Sequence, residues 1–210
     1  MFLVLLVILL VGCTTEQTAP KEEKKAEPVQ EQEEIGGEIM GKVLFIIAQN
    51  NFRDEELAKP KAILERAGYE CEVASLTTNT ATGMLGARVK PDLAVKDASV
   101  DDYDLVVVIG GSGSPELANH NEVLNLLSEA KAKGKKLGAI CLGPMVLAKA
   151  GVLQGKKATV FKTPDSTSAL EQGGASFVDK NIVVDVDLVT GNGPGAAEAF
   201  GNELVKLLQG

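Results

Sequence analysis

Cys141 follows the apolar run Leu137-Gly138-Ala139-Ile140 and precedes Leu142-Gly143-Pro144. A proline so placed opens a helix, so the thiol falls at a sharp strand-to-helix junction. Such junctions lie at the carboxyl edge of a parallel sheet, where open α/β sheets bind their ligands. The free N–H groups at the helix start favour a thiolate, and favour any oxyanion it makes from a substrate. On these grounds Cys141 should titrate below the ~8.5 of a free cysteine. A buried structural cysteine is the other reading of the same spacing.

The remaining chemistry-bearing side chains are few. Glu56 ends Phe52-Arg53-Asp54-Glu55-Glu56, and attraction to a helix N-terminus accounts for it without any further role. Cys71 alternates with Tyr69 and Val73, which makes it a small buried hydrophobe on a strand. His120, the single histidine, stands in Asn119-His120-Asn121 and reads as a solvated helix-start residue. No Cys/His cluster has metal-ligand spacing, so neither metal nor cofactor is expected. Gly191-Asn192-Gly193-Pro194-Gly195-Ala196 fits a dinucleotide pattern, but the chain ends 14 residues later, without a second strand or an acidic ribose ligand. The Gly110-Gly111 loop lacks the Gly-Lys-Ser/Thr of a phosphate loop.

Short apolar runs alternate with helical patterns, the mark of a mostly parallel sheet covered on both faces. Strands are expected over 42–48, 69–75, 104–109 and 137–140, with mixed edge strands over 158–161, 177–178, 181–184 and 188–190. Helices are expected over 54–67, kinked at Pro60, over 122–133, and over 196–208. The fold class is α/β, a flavodoxin-like three-layer sandwich with a nucleophile elbow. In that order the strands of Cys71 and Cys141 flank the first strand. They would lie about two 4.8 Å spacings apart, too far for a disulfide.

Ala139-Ile140-Cys141-Leu142-Gly143-Pro144 resembles the elbow of the ThiJ/PfpI superfamily, which includes the parkinsonism-associated deglycase and the PfpI-type proteases. Four further features occur in the family's order: Phe52 to Glu56; Val89-Lys90-Pro91-Asp92 with Asp102-Tyr103-Asp104; Gly110-Gly111; and Thr190 to Gly195. The resemblance spans 42–208. It implies that Cys141 is the nucleophilic or oxidisable thiol, that Glu56 sits beside its sulfur, and that the N–H groups of Gly111 and Leu142 form an oxyanion site. A carboxylate repels a thiolate, so Glu56 would hold a proton shared with the sulfur.

The departures narrow the function. Leu142 stands where the PfpI-type branch has a histidine, and the stretch 159–164 lacks the histidine of the deglycase branch. Asn192 replaces the family arginine. Amide hydrolysis is disfavoured because nothing obvious protonates a leaving amine. The leading expectation is attack on a small reactive carbonyl, of glyoxalase III or deglycase type. The alternative is a non-catalytic redox sensor that uses oxidation of Cys141.

The chain's 210 residues suit one α/β domain, and its 22 glycines fit tight turns. A formal charge of −8 argues against nucleic acid as a partner. Residues 14–40 carry eight Glu against three Lys and few large apolar side chains, which reads as a disordered acidic tether or an interaction tail. Residues 1–13 are uncharged, and the run from Phe2 to Val11 is too short to span a bilayer but fits a signal peptide. Leu10-Val11-Gly12-Cys13 looks like a lipobox, with Cys13 lipidated and the domain (41–210) held at the outer face of the cytoplasmic membrane. An uncleaved short anchor and a mis-chosen start codon are the alternatives, since no basic residue precedes the run. A homodimer is the expected assembly.

Overall fold

A computed structural model of the chain describes residues 39–210. The signal segment, Cys13 and nearly all of the tether lie outside the described residues. The central sheet is built from β1 (Gly41–Ile46), β2 (Tyr69–Ser75), β3 (Leu93–Ala94), β4 (Leu105–Val108), β5 (Lys136–Ile140), β6 (Ile182–Asp185) and β7 (Leu188–Gly191). Their spatial order is β6-β7-β5-β4-β1-β2-β3. Only β6 runs antiparallel to its neighbour. This is a mixed α/β fold with a mostly parallel sheet and a flavodoxin-like core. Order reverses on either side of β1, and the loops after β1, β4 and β5 meet at one edge.

The strand sequences follow from being covered on both faces. Leu105-Val106-Val107-Val108 is buried throughout, as a central parallel strand requires. Leu44, Ile46, Val106 and Val108 pack in one core with Leu127 of α2 (Asn121–Ala132), Leu147 of α3 (Gly143–Lys149) and Leu170 of α4 (Pro164–Gln172). Val43, Phe45, Leu105 and Val107 pack in another with Leu64 of α1 (Asp54–Arg66) and with Phe200 and Leu204 of α5 (Ala197–Gln209). α1 and α5 approach closely at Gly201, where a Cβ would fall 2.9 Å from the Pro60 Cα. α1 continues through Pro60, which lacks the N–H that would bond the Glu56 carbonyl.

Several expectations need correction. The strands of Cys71 and Cys141 are three steps apart, because β4 lies between β1 and β5. Both cysteines are free, and Cys71 is half-buried against the Val73 side of the core. The stretch expected as a strand over 158–161 is ordered as one only at Lys157–Ala158. α4 escapes the hydrophobic pattern because Leu170 is its main buried apolar residue. It is set instead by a capping box in which Thr163 and Ser166 satisfy each other's backbone N–H groups. A small sheet of Asn50–Phe52, Ala81–Gly83 and Arg88–Val89 also went unforeseen, each strand being too short to show alternation. No helix among the described residues is long and apolar enough to cross a membrane.

Candidate functional site

Cys141 leaves β5 at a sharp turn and adopts a φ of 60°, a left-handed conformation that non-glycine residues seldom hold. The conformation is fixed from both ends. Its N–H donates to the Gly191 carbonyl at 2.9 Å, and its own carbonyl accepts the Phe161 N–H at 2.8 Å. α3 begins two residues later, with Pro144 in its first turn. Cys141 thus stands at a sharp strand-to-helix turn, and it is 8% exposed.

The pairing of β4 with β5 brings Gly110 opposite Cys141, since Val108 is aligned with Ala139. A methyl group on Gly110 would lie 2.4 Å from the Cys141 Cβ and 2.5 Å from Glu56 Oε2. The missing side chain is thus the space in which the thiol and the carboxyl meet. Gly111 has a φ of 106°, and a Cβ there would fall 2.3 Å from the Asn51 carbonyl oxygen. The segment after β1 clasps this loop. The Arg53 N–H donates to the Gly110 carbonyl at 2.9 Å, and the Gly113 N–H donates to the Asn51 carbonyl at 3.1 Å.

Glu56 is fully buried, and its carboxyl lies beside the Cys141 sulfur and the Gly110 N–H without a well-formed hydrogen bond to either. A buried carboxylate without partners is costly, so burial pushes this carboxyl up to about 7, opposed by the neighbouring Cys141 sulfur and the Arg53 charge. Burial and the Glu56 charge push the Cys141 thiol up to about 12, opposed by the N–H groups of Gly111 and Leu142. The expected thiol titration below that of a free cysteine is therefore not what this environment gives. Two acids this close lose their protons as a pair: one leaves in the neutral range and the second is held far above it.

A family model for the DJ-1/PfpI family matches residues 41–207. This chain belongs to the DJ-1/PfpI family. It is 41% identical over 169 residues to an uncharacterized protein of Methanocaldococcus jannaschii, covering 80% of this chain and 82% of that one. It is 34% identical over 168 residues to a deglycase of Pyrococcus horikoshii, covering 80% and 99%. It is 29% identical over 167 residues to a glutathione-independent glyoxalase of Caenorhabditis elegans, covering 80% and 88%. Among solved structures, a ThiJ/PfpI domain protein from Brachyspira murdochii superposes with a TM-score of 0.77 at 30% identity, covering 82% of this chain and 98% of that one.

Of the residues singled out in the sequence, this DJ-1/PfpI chain brings Cys141, Glu56, Gly111 and Leu142 together. His120 faces other partners. The imidazole faces Glu116 at 3.5 Å and Glu122 at 3.6 Å, beside a cavity of about 260 Å³ lined by Gln49, Asn50 and Leu76. Asn192 pairs with Asn181 through its side chain at 3.1 Å. The sequence marks Gly110 only as part of the Gly110-Gly111 motif, and it is the strand register that places it across from Cys141. Sequence reasoning passed over Arg53, whose guanidinium forms a bidentate pair with Glu55 and whose charge reaches both Glu56 and Cys141.

Proposed function

We propose that the protein converts small α-oxoaldehydes through Cys141, in the manner of a cofactor-independent glyoxalase or deglycase. One observation carries the reading: a strained thiol at a strand-to-helix turn beside a fully buried carboxyl. The names of the Pyrococcus and Caenorhabditis relatives support the substrate class.

In this reading the Cys141 sulfur adds to the aldehyde carbon. The C–S bond forms, and the carbonyl electrons move onto oxygen, where the N–H groups of Gly111 and Leu142 receive the charge. The thiol proton passes to the Glu56 carboxylate as the sulfur adds, and Glu56 hands it on to that oxygen, which completes a hemithioacetal. The carboxylate then takes the proton from the former aldehyde carbon and returns it to the neighbouring carbon, while the hydroxyl proton passes to the neighbouring oxygen, which leaves a thioester of a 2-hydroxy acid. Water cleaves the thioester and restores the thiol. From a free α-oxoaldehyde no amine leaves, so no histidine is required to protonate one. A protease reading lacks that proton donor, because His120 faces two glutamates instead.

With methylglyoxal as substrate, the domain should form lactate. The Cys141→Ser variant should retain no turnover above the uncatalysed rate, while Cys71→Ser should retain it. Lactate formation that survives in Cys141→Ser sinks the proposal. The same pair favours one second reading, a redox sensor, because a protonated Glu56 and the two N–H groups would also hold a sulfinate at Cys141. Absence of turnover, with ready conversion of Cys141 to sulfinate by dilute peroxide, selects that reading.

Lipidation at Cys13 and assembly as a homodimer are two further parts of the proposal. In cells supplied with a labelled fatty acid, the parent chain should carry the label and Cys13→Ser should not. Equal labelling of the two contradicts the anchor.

A further inference from the structure

The hairpin Ala81–Val89 is tied to the start of α1. The Asp54 carboxylate accepts the N–H groups of Leu85 at 2.9 Å and Ala87 at 2.7 Å, and the Met84 N–H donates to the Phe52 carbonyl at 2.8 Å. From this fixed base the Met84 side chain reaches the loop after β4, where its sulfur accepts the Ser112 N–H at 3.4 Å. Ser112 directly follows Gly111, whose own N–H borders the Cys141 sulfur. The Gly111 backbone is wedged against Asn51 and has little room to adjust independently. Met84 is 42% exposed, whereas Cys141 is 8% exposed, so a dissolved oxidant has freer access to the methionine.

We propose that Met84 is a peroxide-sensitive modification site that sets the alignment of the Gly111–Ser112 backbone at the thiol. The step is a two-electron oxidation. A sulfur lone pair attacks one peroxide oxygen, the S–O bond forms, the O–O bond breaks, and the other oxygen leaves as water. Methionine is oxidised to sulfoxide and the peroxide is reduced. The sulfoxide oxygen is a stronger acceptor than the thioether sulfur, which now takes the Ser112 N–H at 3.4 Å, and when that N–H turns to the oxygen the side chain or the loop must shift to make room for it. The Gly111 N–H then loses its aim at the sulfur, and Cys141 becomes less reactive.

This rests on the reading of Cys141 as the working thiol, and the test separates the two. Cys141 is first protected as a mixed disulfide with a small thiol, the protein is treated with hydrogen peroxide, and the disulfide is then reduced. Peptide mass mapping reports the state of each methionine, and the rate of iodoacetamide alkylation reports Cys141. Treated parent protein should carry Met84 sulfoxide and alkylate roughly two- to tenfold more slowly than untreated, the effect of one misaligned neutral hydrogen bond. In Met84→Leu the treated and untreated rates should agree. An unchanged rate with Met84 oxidised overturns the inference alone, as does equal slowing in Met84→Leu, which assigns the effect to another methionine. Met84 left intact while Met40 is oxidised also overturns it. Methylglyoxal turnover that survives in Cys141→Ser removes the functional reading as well.

Discussion

Gly110→Ala should cost the protein its thiol chemistry while leaving the fold in place. The new methyl group would meet the Cys141 Cβ at 2.4 Å, Glu56 Oε2 at 2.5 Å and the Ile140 carbonyl oxygen at 2.7 Å. The backbone oxygen cannot swing aside, so the thiol and carboxyl must part. Overpacking of this kind costs about 1–3 kcal/mol, enough to lower the melting temperature by several degrees in a domain of this size. Turnover should fall by roughly 10²-fold or more, because misplaced reacting groups lose both their alignment and their oxyanion donors. Gly195→Ala is the control, since nothing lies within 4 Å of its added Cβ. Equal turnover in Gly110→Ala and the parent protein would mean that the two side chains need not share this space.

The second large effect concerns stability against pH. The Glu56 carboxyl is raised from 4.5 to about 7 by burial, so between those values the folded protein binds a proton that the unfolded chain has released. Its contribution to stability is fully present below about 4.5 and is lost as pH rises through about 7. The loss amounts to about 3 kcal/mol, from ~1.4 kcal/mol per pKa unit. Glu56→Gln keeps the shape and removes the titration. Urea unfolding at pH 5 and pH 8 should therefore show the parent losing stability relative to Glu56→Gln across that interval. Parallel behaviour of the two proteins would mean that Glu56 is not held protonated by its surroundings.

What the sequence disclosed follows from the length scale of each signal. The central strands were legible because a fully covered parallel strand must be apolar throughout, as Leu105 to Val108 are. The strand-to-helix junction at Cys141 was legible because an apolar strand is followed by Gly143-Pro144, and a proline so placed opens a helix. The strand order was not, since local patterning cannot show that β4 inserts between β1 and β5. α4 hid behind a single buried leucine, and the Ala81–Val89 hairpin behind strands of two and three residues. The direction of the thiol's titration was misread for a related reason. Helix-start N–H groups are visible in sequence, whereas the burial of Cys141 and the Glu56 charge that oppose them arise only on folding.

The proton-sharing pair is tested most directly by the rate of Cys141 alkylation as a function of pH, measured in parent protein and in Glu56→Gln. In the parent, the thiolate is opposed by the Glu56 charge above about pH 7, so full reactivity should be approached only toward about pH 12. In Glu56→Gln that opposition is gone, and above pH 8 Cys141 should be alkylated faster than in the parent even as methylglyoxal turnover falls for want of a proton carrier. His120→Ala should follow the parent curve. Two superimposed profiles for parent and Glu56→Gln, each with the ~8.5 midpoint of a free cysteine, would contradict the account and leave the elbow a structural feature only.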